Sequence, residues 1–194
     1  MTQASAQELS QPAARRKIHE RRIICEGFQR EDGLWDIEGR LTDEKAYPFE
    51  NQYRGRLEPG EFIHRMGLRM TLDDDFRIHR VEAMMSDHPF AVCPEIVAAF
   101  RRVEGLVVKP GWSRAMRERV GGVQGCTHLV TLLDNLAIVA FQTIAPLKRK
   151  DPTVESRGKP RHIDSCHALR SDGPVVREHY PRWYRKPTRS EGES

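Results

Sequence analysis

The chain has 194 residues, of which 38% are hydrophobic and 31% charged, and 32 basic side chains against 28 acidic ones leave a net charge of +4. That length suits one hydrophobic core, and the close mixing of the two signs gives no basic face of the kind nucleic acid selects. The longest apolar stretch, 129–145, is interrupted by Thr131, Asp134, Asn135 and Gln142, so it reads as a buried helix and not as a membrane span.

The chain opens without a basic segment followed by an apolar run, so no secretory signal is visible and a cytoplasmic location is expected. Cys25, Cys93, Cys126 and Cys166 form no CxxC pair, and in a reducing compartment they are expected to remain thiols. Positive runs are confined to the ends, at Arg15-Arg16-Lys17 with Arg21-Arg22 and from Lys148 to Arg189. The organisation expected is a disordered leader over 1–14, one domain over 15–184 and a flexible basic tail over 185–194.

In chain order, 17–28 and 34–42 carry strand-like residues on either side of Arg30-Glu31-Asp32-Gly33, a first hairpin in which Gly33 supplies a positive φ. Trp35, Ile37 and Leu41 share one face of its second strand, with Asp36, Glu38 and Arg40 on the other. After a loop containing Pro48, Gly55, Pro59 and Gly60, the run Phe62, His64, Met66, Leu68, Met70 and Leu72 alternates onto one face. The Asp73-Asp74-Asp75 turn leads into a partner strand over 76–85. With a three-residue loop, Leu72 opposes Phe76, Met66 opposes Glu82, and His64 becomes a diagonal neighbour of Glu82. Beyond Pro89 the pattern turns helical. Pro94 starts one helix through Arg102, Ser113 caps a second through Val120, and a third runs from Thr127 to Ala145, where Pro146 stops it. The segment 162–176 reads as a short strand or an irregular wrap. The fold class is α+β, an antiparallel sheet of two N-terminal hairpins packed against C-terminal helices.

Polar groups on apolar faces are the candidate site. His64 and Glu82 suit a general base and its orienting carboxylate, and equally a satisfied core pair. Arg80 shares Glu82's face, and Arg69 with Arg65 lies opposite; either side can hold an anionic oxygen. Asp87 stands at the strand exit, as a site carboxylate or a turn residue. The glycine-rich segment 121–125 precedes Thr127 and can aim free N–H groups at an anion. His128, Asn135 and Gln142 follow on one stripe of the third helix, as pocket lining or as caps and buried hydrogen bonds. Trp35, Phe62 and Trp112 can enclose an aromatic ring or simply fill the core. Zinc ligation by Cys93, Cys126, His128, Cys166 and His167 is conceivable, but neither CxxC nor HExxH spacing selects it, and no metal is expected. GxxxxGK[ST] and GxGxxG are missing, so no nucleotide cofactor is expected either.

The runs CEGFQREDGLWDIEGRLTDEK, HRMGLRMTLDDDFRI, EAMMSDHPFAVCPEI, GGVQGCTHL and DSCHAL together resemble a bacterial domain-of-unknown-function family, the DUF2889 group, over about Arg16 to Pro181. The resemblance implies a place in aromatic catabolism, as a cofactor-independent, formaldehyde-releasing lyase acting on lignin-derived phenylcoumarans. It carries over no catalytic residue, so every residue role above rests on chemistry. The expected partner is a small aromatic substrate, with neither nucleic acid nor membrane, and a homo-oligomer is left open. The rival reading is a non-catalytic module that binds an aromatic ligand or a protein.

Overall fold

The computed structural model describes residues 9–148, 158–160 and 162–186. The N-terminal part of the expected leader and most of the basic tail lie outside the described residues. β1 (His19–Gln29) and β2 (Trp35–Lys45) form the first hairpin, and β3 (Phe49–Asn51) with β4 (Gly55–Leu57) forms a small separate one within the stretch read as a loop. β5 (Phe62–Leu72) and β6 (Ile78–Asp87) form the third hairpin, and β2 pairs with β5 to give an antiparallel sheet in the order β1-β2-β5-β6. A 3₁₀ segment, Cys93–Val103, then leads to α1 (Trp112–Val120), α2 (Thr127–Lys148) and α3 (Pro174–His179). The fold is thus the α+β arrangement expected: an N-terminal antiparallel sheet packed by C-terminal helices.

One face of the sheet is covered. Ile37, Leu41, Met66, Leu68, Met70 and Val81 are buried with Leu129, Leu132, Leu133, Leu136 and Ile144 of α2. Two glycines let α2 lie close to the strands. A Cβ on Gly39 would come within 2.8 Å of Leu132 and 2.9 Å of Leu136, and one on Gly27 would collide with Thr143. The helix therefore crosses from the β2–β5 side, where it begins, to β1 over a path of absent side chains.

The β5–β6 hairpin departs from its expected register. Leu72 pairs with Ile78, not Phe76, and an irregularity between Thr71 and Leu72 adds a residue to β6. Such a bulge reverses the alternation beyond it, so Ile78 and Val81 are buried while Arg80, Glu82 and Met84 face solvent. Phe76 adopts a positive φ of 62° in the turn and stays buried. The helix starts differ too. The segment after Pro94 is 3₁₀, and α1 begins after Gly111, whose φ is 90°, while the Ser113 hydroxyl donates to Asp134 at 2.8 Å and caps nothing. Pro146 lies inside α2, because in the last turn a proline costs one backbone bond and no continuing helix. Over 162–176 the described residues form 3₁₀ turn His167–Leu169 and the start of α3, with no strand.

Candidate functional site

The inward alternation of β2 runs Trp35, Ile37, Gly39, Leu41 and then Asp43, so the strand ends its core face on a carboxylate that is 1% exposed. Arg21 of β1 and His64 of β5 stand in the same cross-strand row as Asp43. Directly after it, a bulge between Asp43 and Glu44 shifts the β2–β5 register, as bulges do where strands re-aim side chains. The N-terminal turn of α2 brings His128 over this row, its ring centroid 3.9 Å from that of His64.

Asp43 is the hub. Its Oδ1 accepts from Arg21 Nε at 2.8 Å and lies 3.0 Å from His19 Nε2, while Oδ2 accepts from Arg21 Nη2 at 2.7 Å and lies 3.0 Å from His64 Nδ1. His128 Nε2 is 3.9 Å from Oδ2, and Cys126 Sγ is 3.8 Å from His128 Nδ1. The side chains of His19 and Arg21 are 39% and 38% exposed, against 14% for His64 and 25% for His128. The cluster is therefore open on the β1 side and closed beneath the helix.

Burial by itself would raise the Asp43 carboxyl, but the Arg21 guanidinium and the neighbouring imidazoles outweigh it and hold the group below its ordinary range. For His64 the balance is reversed: burial lowers its basicity more than Asp43 restores it. Burial, with the adjacent His64 and Arg21, lowers His128 to about 4. Near neutral pH Asp43 is thus an ionised carboxylate, and the imidazoles of His64 and His128 are neutral. A carboxylate only accepts, so the His64 proton sits on Nδ1 and Nε2 presents its lone pair.

Ligating atoms of Asp43, His64 and His128 lie within 4.8 Å of one another, close enough for a metal ion. The carboxylate, however, already takes four donors, two from one guanidinium. A cation at Oδ2 has to displace one of them and share a charge already balanced by Arg21.

The expected dyad is corrected: the carboxylate of His64 is Asp43, not Glu82. The β6 bulge puts Glu82 on the outer face, where it pairs with Arg80 at 2.8 Å and Arg69 at 3.5 Å. Arg69 also holds Glu38 at 2.7 Å, so both arginines are far from the cluster's face. A cavity of about 550 Å³ opens on that outer face, lined by Glu38, Arg40, Arg65, Gly67, Arg69 and Met84 among others. It is on the wrong side of the sheet to serve His64, and the ionisable cluster is the better guide to chemistry. Asp87 is held by Arg54 at 3.2 Å and Arg65 at 2.7 Å. Trp35 donates to Asp74 at 2.9 Å at the opposite end of β2, and Phe62 lies under the Arg65 guanidinium. Trp112 is core, its indole N–H buried without an acceptor among the described residues. Asn135 donates to the Thr131 carbonyl at 2.8 Å and Gln142 faces solvent. Of the residues expected at the site, His64 and His128 come together. Asp43, Arg21 and His19 complete the group and are not among the expected residues, whereas Cys126, weighed above with His128 as a zinc ligand, lies beside that ring; the parity of Asp43 with Trp35, Ile37 and Leu41 is the available signal.

The sequence model of a family described as "Protein of unknown function (DUF2889)" matches residues 19–142. This span begins at the first residue of β1 and ends within α2, so it includes every member of the cluster. It stops short of the DSCHAL run. No curated protein and no solved structure matches the chain.

Proposed function

We propose that this chain, which belongs to the DUF2889 family of proteins of unknown function, is a cofactor-independent lyase that releases formaldehyde from a phenylcoumaran-type aromatic dimer, with His64 as its general base. The observation that carries this reading is the 3.0 Å contact from His64 Nδ1 to a buried, ionised Asp43. It fixes the imidazole and leaves Nε2 free to take a proton. The substrate class is the one expected from the resemblance to the DUF2889 group, whose family model itself describes no function.

The reaction balances without an oxidant or a cofactor. His64 Nε2 takes the proton of the primary alcohol, and the oxygen's electron pair forms the carbonyl of formaldehyde as the carbon–carbon bond breaks. The released pair forms a new carbon–carbon double bond and expels the neighbouring aryl oxygen as phenolate, which recovers the proton from His64. Asp43 stabilises the transient imidazolium, as an orienting carboxylate does in other base pairs. Arg21 spends Nε and one Nη on Asp43 and retains further N–H groups at the open side of the cluster, placed to stabilise phenolate charge as it develops. His128, neutral down to about pH 4, covers one face of the His64 ring.

The test uses metal-stripped protein and a panel of phenylcoumarans, following formaldehyde and the ring-opened alkene. One formaldehyde per alkene, unchanged by chelator, is expected. Tight binding of the panel without turnover would replace the lyase with the ligand-binding module, and turnover that needs added metal would refute the cofactor-independent mechanism.

A further inference from the structure

We infer that the free edge of β1 is an interface with a second copy of this chain, the two β1 strands pairing antiparallel about a two-fold axis at Ile24. β1 ends the sheet, and among the described residues no strand pairs with its other side. The Ile18 carbonyl accepts from Ala46 and the Arg30 amide donates to Leu34. Even-numbered residues therefore turn their backbone groups to β2, and the odd-numbered ones from His19 to Gln29 point theirs away from the sheet.

Free edges are ordinarily blunted by proline, bulges, brevity or charged side chains. β1 carries only the last, in Glu20, Arg21, Arg22 and Glu26, and its register with β2 runs unbroken over all 11 residues. It also leaves Ile24 55% and Phe28 45% exposed.

The strand is complementary to itself in one register. With Ile24 facing Ile24 of the second copy, the outward odd residues meet one another as backbone pairing requires, Cys25 against Ile23, Arg21 against Gly27 and His19 against Gln29. On the open face Arg22 stands opposite Glu26 twice, once on each side of the axis. Among the described residues, Arg22 pairs with Glu20 of its own strand. Neighbouring registers lose this match. Centring on Ile23 sets Glu20 against Glu26, centring on Arg22 sets that arginine against itself, and centring on Cys25 separates Arg22 from Glu26 and shortens the ladder. The favoured register also seats Gln29 of the second copy beside His19, at the open side of the Asp43 cluster.

Sedimentation equilibrium on the full chain is expected to give twice the 22.4 kDa protomer mass. Arg22→Glu sets carboxylates opposite each other and should weaken the dimer at least tenfold, as should Glu26→Arg, while the double exchange Arg22→Glu/Glu26→Arg should restore it. Ile24→Cys gives a folding-independent reading. The two copies of residue 24 form a non-hydrogen-bonded pair with Cα atoms about 4.5 Å apart, within disulfide reach. Mild oxidation should link them, whereas Phe28→Cys, which faces Glu20, should not link. A monomeric wild type overturns the inference, as does a dimer that neither dissociates with Arg22→Glu nor links through Ile24→Cys.

Discussion

Replacing Asp43 by Asn keeps the side chain's shape and removes its charge. The carboxylate accepts from Arg21 at 2.8 and 2.7 Å and meets His19 and His64 at 3.0 Å each. An asparagine turns one acceptor oxygen into a donor that faces donors. Breaking a buried ion pair from one side costs about 3–5 kcal/mol. Because Arg21 and His19 are more than a third exposed and recover water, the expected loss is about 2–3 kcal/mol. Its pH dependence has a definite sign. The folded carboxyl lies below its ordinary 3.8, so its contribution is present above that value and fades as the pH falls through the folded one. Urea unfolding at pH 7 should separate Asp43→Asn from wild type, and the gap should narrow as the pH falls below 3.8. The variant should also release formaldehyde at least tenfold more slowly, since His64 loses the group that fixes its tautomer. Equal unfolding midpoints at pH 7, or a gap that persists in acid, would refute the role given to this carboxylate.

Burial holds His128 at about 4, below its ordinary 6.5, so the stability tied to its neutral form is complete above 6.5 and is lost as pH falls towards 4. His128→Gln should remove about 1–2 kcal/mol of that acid-side loss in urea titrations, after allowance for partial exposure; a ring proton titrating near 6.5 by NMR would contradict this. Gly39→Val forces a side chain against Leu132 and Leu136 and should cost about 2–3 kcal/mol in thermal unfolding; an unchanged midpoint would mean that α2 is not seated there. Glu82→Gln, on the outer face with Arg80 and Arg69, should change stability by less than about 0.5 kcal/mol and leave formaldehyde release intact. A loss of turnover would restore Glu82 to the site.

Much of the sheet was legible because its residues alternate strictly. Gly33 marks the first turn, and the run from Phe62 to Leu72 keeps one face apolar apart from His64, so strands and inward faces follow from period alone. The extra residue in β6 left no such mark. His79 and Arg80 are both exposed, and the bulge that accommodates them depends on the Asp73 turn, whose carboxylate takes the Arg77 and Asp75 amides and His79. One undetected residue exchanged the partner of His64. Asp43 is legible in principle, because β2 continues its inward parity to it, but the strand pattern in the sequence ends at Thr42. Arg21 and His19 were hidden by their setting, being part of a charged run whose surface character is the ordinary expectation. That Gly27 and Gly39 make room for a helix depends on packing between distant segments, which periodicity does not encode.

The proposed mechanism makes His64, fixed by Asp43, the base. The most direct measurement is the initial rate of formaldehyde release from a saturating phenylcoumaran by wild type and by His64→Gln, both metal-stripped and matched in unfolding midpoint and ligand binding. Wild type should turn over, and His64→Gln should lose about a hundredfold or more. A folded His64→Gln that works at nearly the wild-type rate would contradict it.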